Sequence, residues 1–103
     1  MEQISIDTLR ERLQAGEQIC LVDVRQPEEH ADFNIGGLLL PLGQILSLQT
    51  EALEDFREEE IICYCRSGQR SMQAALMLQS MGFLRAKNLT GGMLAWEATY
   101  GRG

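Results

Sequence analysis

Short apolar runs alternate along this chain with segments whose apolar residues recur at helical spacing. Residues 19–24, Ile-Cys-Leu-Val-Asp-Val, are apolar on both alternate positions, the pattern of a strand buried on two faces of a parallel sheet. Ile61-Ile62-Cys63-Tyr64 and residues 86–89 predict two further strands, and Leu38-Leu39-Leu40, stopped by Pro41, a short one. Between them lie helices. The first has Ser5 or Asp7 near its N-cap, Leu9 and Leu13 on one face and Gly16 just past its end. Residues 27–31 open a short helix with proline and acids in its first turn, broken at Gly36-Gly37. Residues 42–56 hold one or two short helices. Residues 69–80, apolar almost all round, predict a buried helix that Gly82 ends, and a last helix carries Leu94, Ala95 and Trp96. Such alternation predicts a parallel sheet covered by helices on both faces.

Composition narrows the class. A chain of 103 residues, 45% apolar and 23% charged, suits one domain over 1–103 with a single core. The net charge of −6 argues against a nucleic-acid or anionic-membrane surface, since both reward a basic footprint. No apolar stretch approaches the ~18 residues of a membrane span, and Met1-Glu2-Gln3 lacks the basic start of a secretory signal, so a cytoplasmic location is expected. Three cysteines, an odd number, disfavour a disulfide framework and leave a free thiol. Glu51, Glu54, Asp55 and Glu58-Glu59-Glu60 form an acidic cluster, read as a solvated face, with a repulsive screen around the positive loop described next as its sharper alternative.

The candidate chemistry lies in Cys65-Arg66-Ser67-Gly68-Gln69-Arg70-Ser71. A strand, a glycine turn and a helix start aim backbone N–H groups and a positive helix end at one point, where a thiolate is stabilised. Two arginines flank the turn, so the loop is also suited to oxyanions. In parallel sheets ligands sit at the carboxyl ends of strands, and Cys65, Asp23 and Arg25 all fall at such ends.

Asp23-Val24-Arg25 with Pro27-Glu28-Glu29, Ile35-Gly36-Gly37 with Pro41-Leu42, the Cys65–Ser71 loop, and Asn88-Leu89-Thr90-Gly91-Gly92 with Ala95-Trp96 together resemble the rhodanese sulfurtransferase domain, in its free-standing type. The resemblance runs nearly end to end. It implies a doubly wound α/β fold, a mostly parallel five-stranded sheet with helices on both faces. It also implies that Cys65 carries sulfane sulfur as a persulfide, taken from a donor such as thiosulfate and passed to cyanide or a thiol, with no cofactor and no metal. The substrate-binding set is then Arg66, Ser67, Gly68, Gln69, Arg70 and Ser71 with Arg25, and Asp23 is structural support.

Within that set, Arg66 either holds a thiosulfate oxyanion or is solvated. Arg70 is expected to form a salt link to Asp23, and Arg25 to line the site or pair with a nearby glutamate. Gly68 supplies a positive backbone dihedral, and Ser67 and Ser71 donate to the anion or cap the helix. Asn34 stands where many members carry histidine, and His30 is expected to face solvent, so no Cys/His pair is evident. Glu28 and Glu29 replace a basic residue of the larger two-domain enzymes, which lowers the expected thiosulfate affinity. Cys20, Cys63, Leu38, Leu39, Leu40 and Trp96 are expected in the core, and Met72, Met77 and Met81 as packing.

Two other functions are open. Domains of the family fused to ubiquitin-like activating enzymes relay sulfur from a cysteine desulfurase to a carrier protein, and the Asn34-Ile35-Gly36-Gly37 stretch is similar to theirs. Phosphatases of the same fold place one more residue between cysteine and arginine. Here four stand between Cys65 and Arg70, a narrower ring that suits one sulfur better than a phosphate or arsenate.

Overall fold

The computed structural model describes residues 1–102. Strands β1 (Gln3–Ile4), β2 (Cys20–Asp23), β3 (Leu38–Leu39), β4 (Ile61–Tyr64) and β5 (Ala86–Leu89) form one sheet in the order β1-β5-β4-β2-β3. Every pairing is parallel, where a mostly parallel sheet was expected. Helices α1 (Ile6–Gln14), α2 (Pro27–Asp32), α3 (Leu42–Leu46) and α4 (Gln69–Ser80) connect the strands, with a 3₁₀ turn over Glu51–Phe56, and α5 (Gly92–Tyr100) follows β5.

The two-residue period of a strand divides the core. Ile61, Cys63 and Cys65 pack with Val22, Val24, Ala74, Ala75 and Leu78, on the face covered by α3 and α4. Ile62 and Tyr64 pack with Leu9, Leu21, Leu89 and Met93, on the face of α1 and α5. The central strand β4 is therefore apolar at every position, and all four of its residues are buried.

Caps set the helix limits. Ser5 Oγ accepts from the Thr8 N–H at 3.1 Å and starts α1, and Gly16 at φ +84° follows its end. Gly82 at φ +99° does the same after α4.

Three expectations change. β1 is too short for alternation to reveal; it is held by its pairing of Gln3 and Ile4 with Asn88 and Leu89. Leu38 is exposed and Leu39 only half-buried, because β3 is the sheet edge; Leu40 is in the core. α4 is not buried all round. Leu76 is 51% exposed, since Ala74, Ala75 and Leu78 face the sheet and Leu76 lies on the opposite side.

The strand order places the site. From β2 the chain moves outward to β3, and from β4 it moves the other way to β5, so the connections diverge between β2 and β4. A crevice opens at the carboxyl ends of such a pair. Asp23 ends β2 and Cys65 follows β4. Glu58-Glu59-Glu60 precedes β4, at the opposite edge of the sheet, so the acidic cluster is not a screen around Cys65.

Candidate active site

Cys65 leaves the end of β4 and the chain turns at once into α4, whose first residue is Gln69. Gly68 makes that turn at φ +97°, in the left-handed region. As a result the Gly68 N–H donates to Cys65 Sγ at 3.1 Å and the Ser71 N–H at 3.3 Å, and Ser71 Oγ also lies 3.3 Å from the sulfur. Cys65 is buried, with 1% exposure. Burial raises its thiol, but the Ser71 hydroxyl and the N–H groups of Ser71, Gly68 and Ser67 outweigh it and hold Cys65 below the ordinary thiol range. The contrast is Cys63, two residues back on the same strand, which burial pushes up to about 12. Burial raises Cys20 as well, and both pack with the core.

A second helix start fixes the loop from behind. The Met93 N–H donates to the Cys65 carbonyl and the Leu94 N–H to the Arg66 carbonyl, each at 2.9 Å. Gly92 makes this approach possible: a Cβ there would collide with the Cys65 and Arg66 carbonyls. With its carbonyls tied to α5, the loop turns N–H groups toward the sulfur.

The arginines divide by role. Arg70 does not reach Asp23; it grips the Glu29 carboxylate through both terminal nitrogens, at 2.7 and 2.9 Å. Both residues sit in the first turn of their helices, α4 and α2, and both are partly buried. That contact with Arg70 outweighs partial burial and holds Glu29 down to about 2. Asp23, fully buried at the end of β2, is already occupied. It accepts from Arg25 Nε at 2.9 Å, Arg25 Nη2 at 2.8 Å and the Arg25 backbone N–H at 3.1 Å, and pairs with His30 Nδ1 at 2.9 Å. His30 is thus turned into the crevice wall, not toward solvent. Burial raises Asp23, yet the contacts with Arg25 and His30 leave it below the usual carboxylate range.

Arg25 pairs with aspartate rather than glutamate, and Nη2 also donates to the Phe33 carbonyl at 2.7 Å. Arg25 lines a cavity of about 160 Å³ beside the loop, together with Phe33, Arg66, Leu94 and Arg102. Arg66 is exposed at its mouth, and has no ion-pair partner among the described residues. Ser67 in the loop and Gln69 at the start of α4 are both exposed. A larger groove of about 990 Å³ contains Cys20, Glu59 and Glu60 at the amino ends of the strands, and no residue of the Cys65 loop lines it.

A model of the rhodanese-like domain matches residues 5–99. The chain belongs to the rhodanese-like domain family. It is 38% identical over 97 residues to a sulfurtransferase of Allochromatium vinosum, covering 93% of this chain and 88% of that one. It is 32% identical over 95 residues to a putative sulfur carrier protein, YrkF, of Bacillus subtilis, covering 91% of this chain and 50% of that one. A rhodanese-like domain protein from Staphylococcus aureus superposes with a TM-score of 0.82 at 30% identity, over 93% of this chain and 91% of that chain. The relatives of this rhodanese-like domain thus include a named sulfurtransferase and a putative sulfur carrier protein.

Some residues of this rhodanese-like domain take part in ways their sequence did not announce. Glu29 looked like a deficit of positive charge and proves to be the clamp on Arg70. His30, the only histidine, buttresses Asp23. Asn88, buried on β5, meets the Ser71 hydroxyl at 2.5 Å. A polar residue in a central strand was the available signal for Asn88, because burial requires it to have a partner.

Proposed function

We propose that this rhodanese-like domain moves sulfane sulfur through a persulfide on Cys65. The convergence of the Gly68 and Ser71 N–H groups and the Ser71 hydroxyl on a single sulfur supports this most directly. Such donors favour an anion before and after sulfur is added, since a persulfide is itself anionic.

With thiosulfate, the Cys65 thiolate attacks the outer sulfur. A new S–S bond forms while the bond to the sulfonate breaks, and sulfite leaves with the electron pair. Cyanide or a thiolate then takes the terminal sulfur, and the Cys65 thiolate is restored. Arg66, exposed and unpaired among the described residues, meets the dianionic donor at the mouth. Arg70 acts through Glu29 to hold the loop rather than through substrate. Arg25 shapes the cavity wall while bound to Asp23.

A second reading is transfer between proteins. Cys65 is buried beneath a rim where Arg66 and Leu94 are exposed, a surface on which a partner's reactive cysteine can dock, and one relative is named a sulfur carrier. A cysteine desulfurase or a sulfur-carrier protein is then the partner. Thiocyanate formation from thiosulfate and cyanide separates the readings. Turnover that Cys65→Ser abolishes supports the small-molecule donor; no turnover, with sulfur accepted from a persulfurated desulfurase, supports the relay.

A further inference from the structure

Cys65 has a hydrogen-bonded route to the surface through Ser71 and Asn88. Ser71 Oγ lies 3.3 Å from Cys65 Sγ and 2.5 Å from Asn88 Oδ1. Asn88 Nδ2 donates to Gln3 Oε1 at 3.1 Å, and the Thr90 hydroxyl donates to the same oxygen at 3.1 Å. Ser71 and Asn88 are buried, whereas Gln3 and Thr90 are exposed. The register explains the route, because β5 lies between β1 and β4 and sets Asn88 opposite Gln3 on one side and Cys63 on the other.

A hydroxyl has one proton, so Ser71 cannot donate to both neighbours at once. With Cys65 protonated, the S–H donates to Ser71 Oγ, the Ser71 hydroxyl to Asn88 Oδ1, and Asn88 Nδ2 to Gln3. Every buried group is then paired. An anionic sulfur accepts only, and draws the Ser71 proton to itself. That would leave Asn88 Oδ1 against the lone pairs of Ser71 with nothing between them, a costly contact in a buried site. Half a turn of the Asn88 amide removes the conflict. Nδ2 then donates to Ser71 Oγ, and Oδ1 accepts from Gln3 once the exposed Gln3 amide has reversed in turn.

We propose that Asn88 is a positioning residue for Cys65, whose amide reverses as the sulfur ionises and so frees the Ser71 hydroxyl to donate its hydrogen bond to the sulfur. This rests on Cys65 being the reacting sulfur; the test reads ionisation alone and stands apart from whether sulfur is transferred. An asparagine serves because it offers a donor and an acceptor at interchangeable positions. An ionised aspartate offers acceptors only and would keep the Ser71 proton.

The other charged and titratable groups near Cys65, or on the elements packed around it, are the same in every variant. Arg66 and Arg70 come from the loop and α4, Glu29 and His30 from α2, and Asp23 and Arg25 from the end of β2. Glu97 and Arg102 line the cavity from α5 and the segment after it, Cys63 lies below on β4, and Lys87 on β5 is held by Glu60 and Glu2. Helix α3 carries no charged residue.

The experiment is the pH profile of Cys65 alkylation by iodoacetamide, read by peptide mapping in the intact chain. Asn88→Asp, Ser71→Ala and the double variant are compared with the parent. Asn88→Asp raises the midpoint by about one pH unit, a tenfold slowing at a fixed pH below it. In the Ser71→Ala background the same change raises it by less than half as much. An equal rise in both backgrounds would mean that the new carboxylate acts by its field, and no rise would mean that Asn88 has no part; either overturns the proposal. Gln3→Glu provides a second arm at an exposed position. An acceptor there holds Asn88 Nδ2 outward, so alkylation slows even at high salt, where its field is screened, and the slowing vanishes in an Asn88→Leu background. An unchanged profile in Gln3→Glu contradicts the proposal too.

Discussion

Gly92 faces the carbonyl oxygen of Cys65 so closely that there is no room for a side chain between them. The contact joins the start of α5 to the loop that holds the sulfur, and the Met93 N–H seals it at 2.9 Å. Gly92 is also at φ +56°. Gly92→Ala therefore combines backbone strain with a collision, at a cost of about 3 kcal/mol. Denaturant unfolding should show that loss, and Cys65 alkylation at neutral pH should slow as the N–H groups move off the sulfur.

Asp23→Asn removes the counter-charge of a buried arginine. Arg25 is 6% exposed, and its partner carboxylate is fully buried. An uncompensated guanidinium in that position costs about 3–5 kcal/mol. A thermal melt should place this variant below any other single substitution in the crevice.

Glu29→Gln tests the clamp on Arg70 through pH. Glu29 is held at about 2, against a usual value of 4.5. A carboxylate depressed in this way stabilises the fold fully above its unfolded value, and that contribution is lost as pH falls toward its folded one. Parent and variant should differ by on the order of 1 kcal/mol at neutral pH, given the partial exposure of the pair, and converge in acid. Urea unfolding at several pH values measures it. A difference that persists at pH ~2 would show that the pair is not its source.

Arg66→Ala should separate binding from folding. The side chain is exposed and unpaired among the described residues, so stability stays within ~0.5 kcal/mol of the parent. Loss of one charge-assisted contact to thiosulfate raises its KM about tenfold or more. Steady-state kinetics and a melt on the same sample test both halves.

These variants also mark what could be read in advance. The apolar runs of β2 and β4 announced buried parallel strands, because central strands must satisfy both faces at once. Cys65, Gly68 and Ser71 announced a tight loop with N–H groups aimed at the sulfur, because a glycine turn between a strand and a helix start brings them to one point. The partner of Arg70 was misassigned. Asp23 is nearby along the sheet edge, but Arg25, only two residues away, folds back and fills its oxygens first. Ion-pair choice depends on which side chain arrives without crossing another, and spacing along the chain does not encode that. β1 escaped notice for a similar reason: its two residues are a strand only because β5 is beside them. Asn88 carried a polar-in-core signal, while its contact with Ser71 needed the fold.

The most direct measurement is the intact mass of the protein before and after incubation with thiosulfate, followed by peptide mapping. A gain of one sulfur atom on Cys65, removed by cyanide and absent in Cys65→Ser, is the predicted result. Sulfur found instead on Cys20 or Cys63 would contradict it. So would an unchanged mass after both thiosulfate and a persulfurated cysteine desulfurase, with Cys65 still open to alkylation.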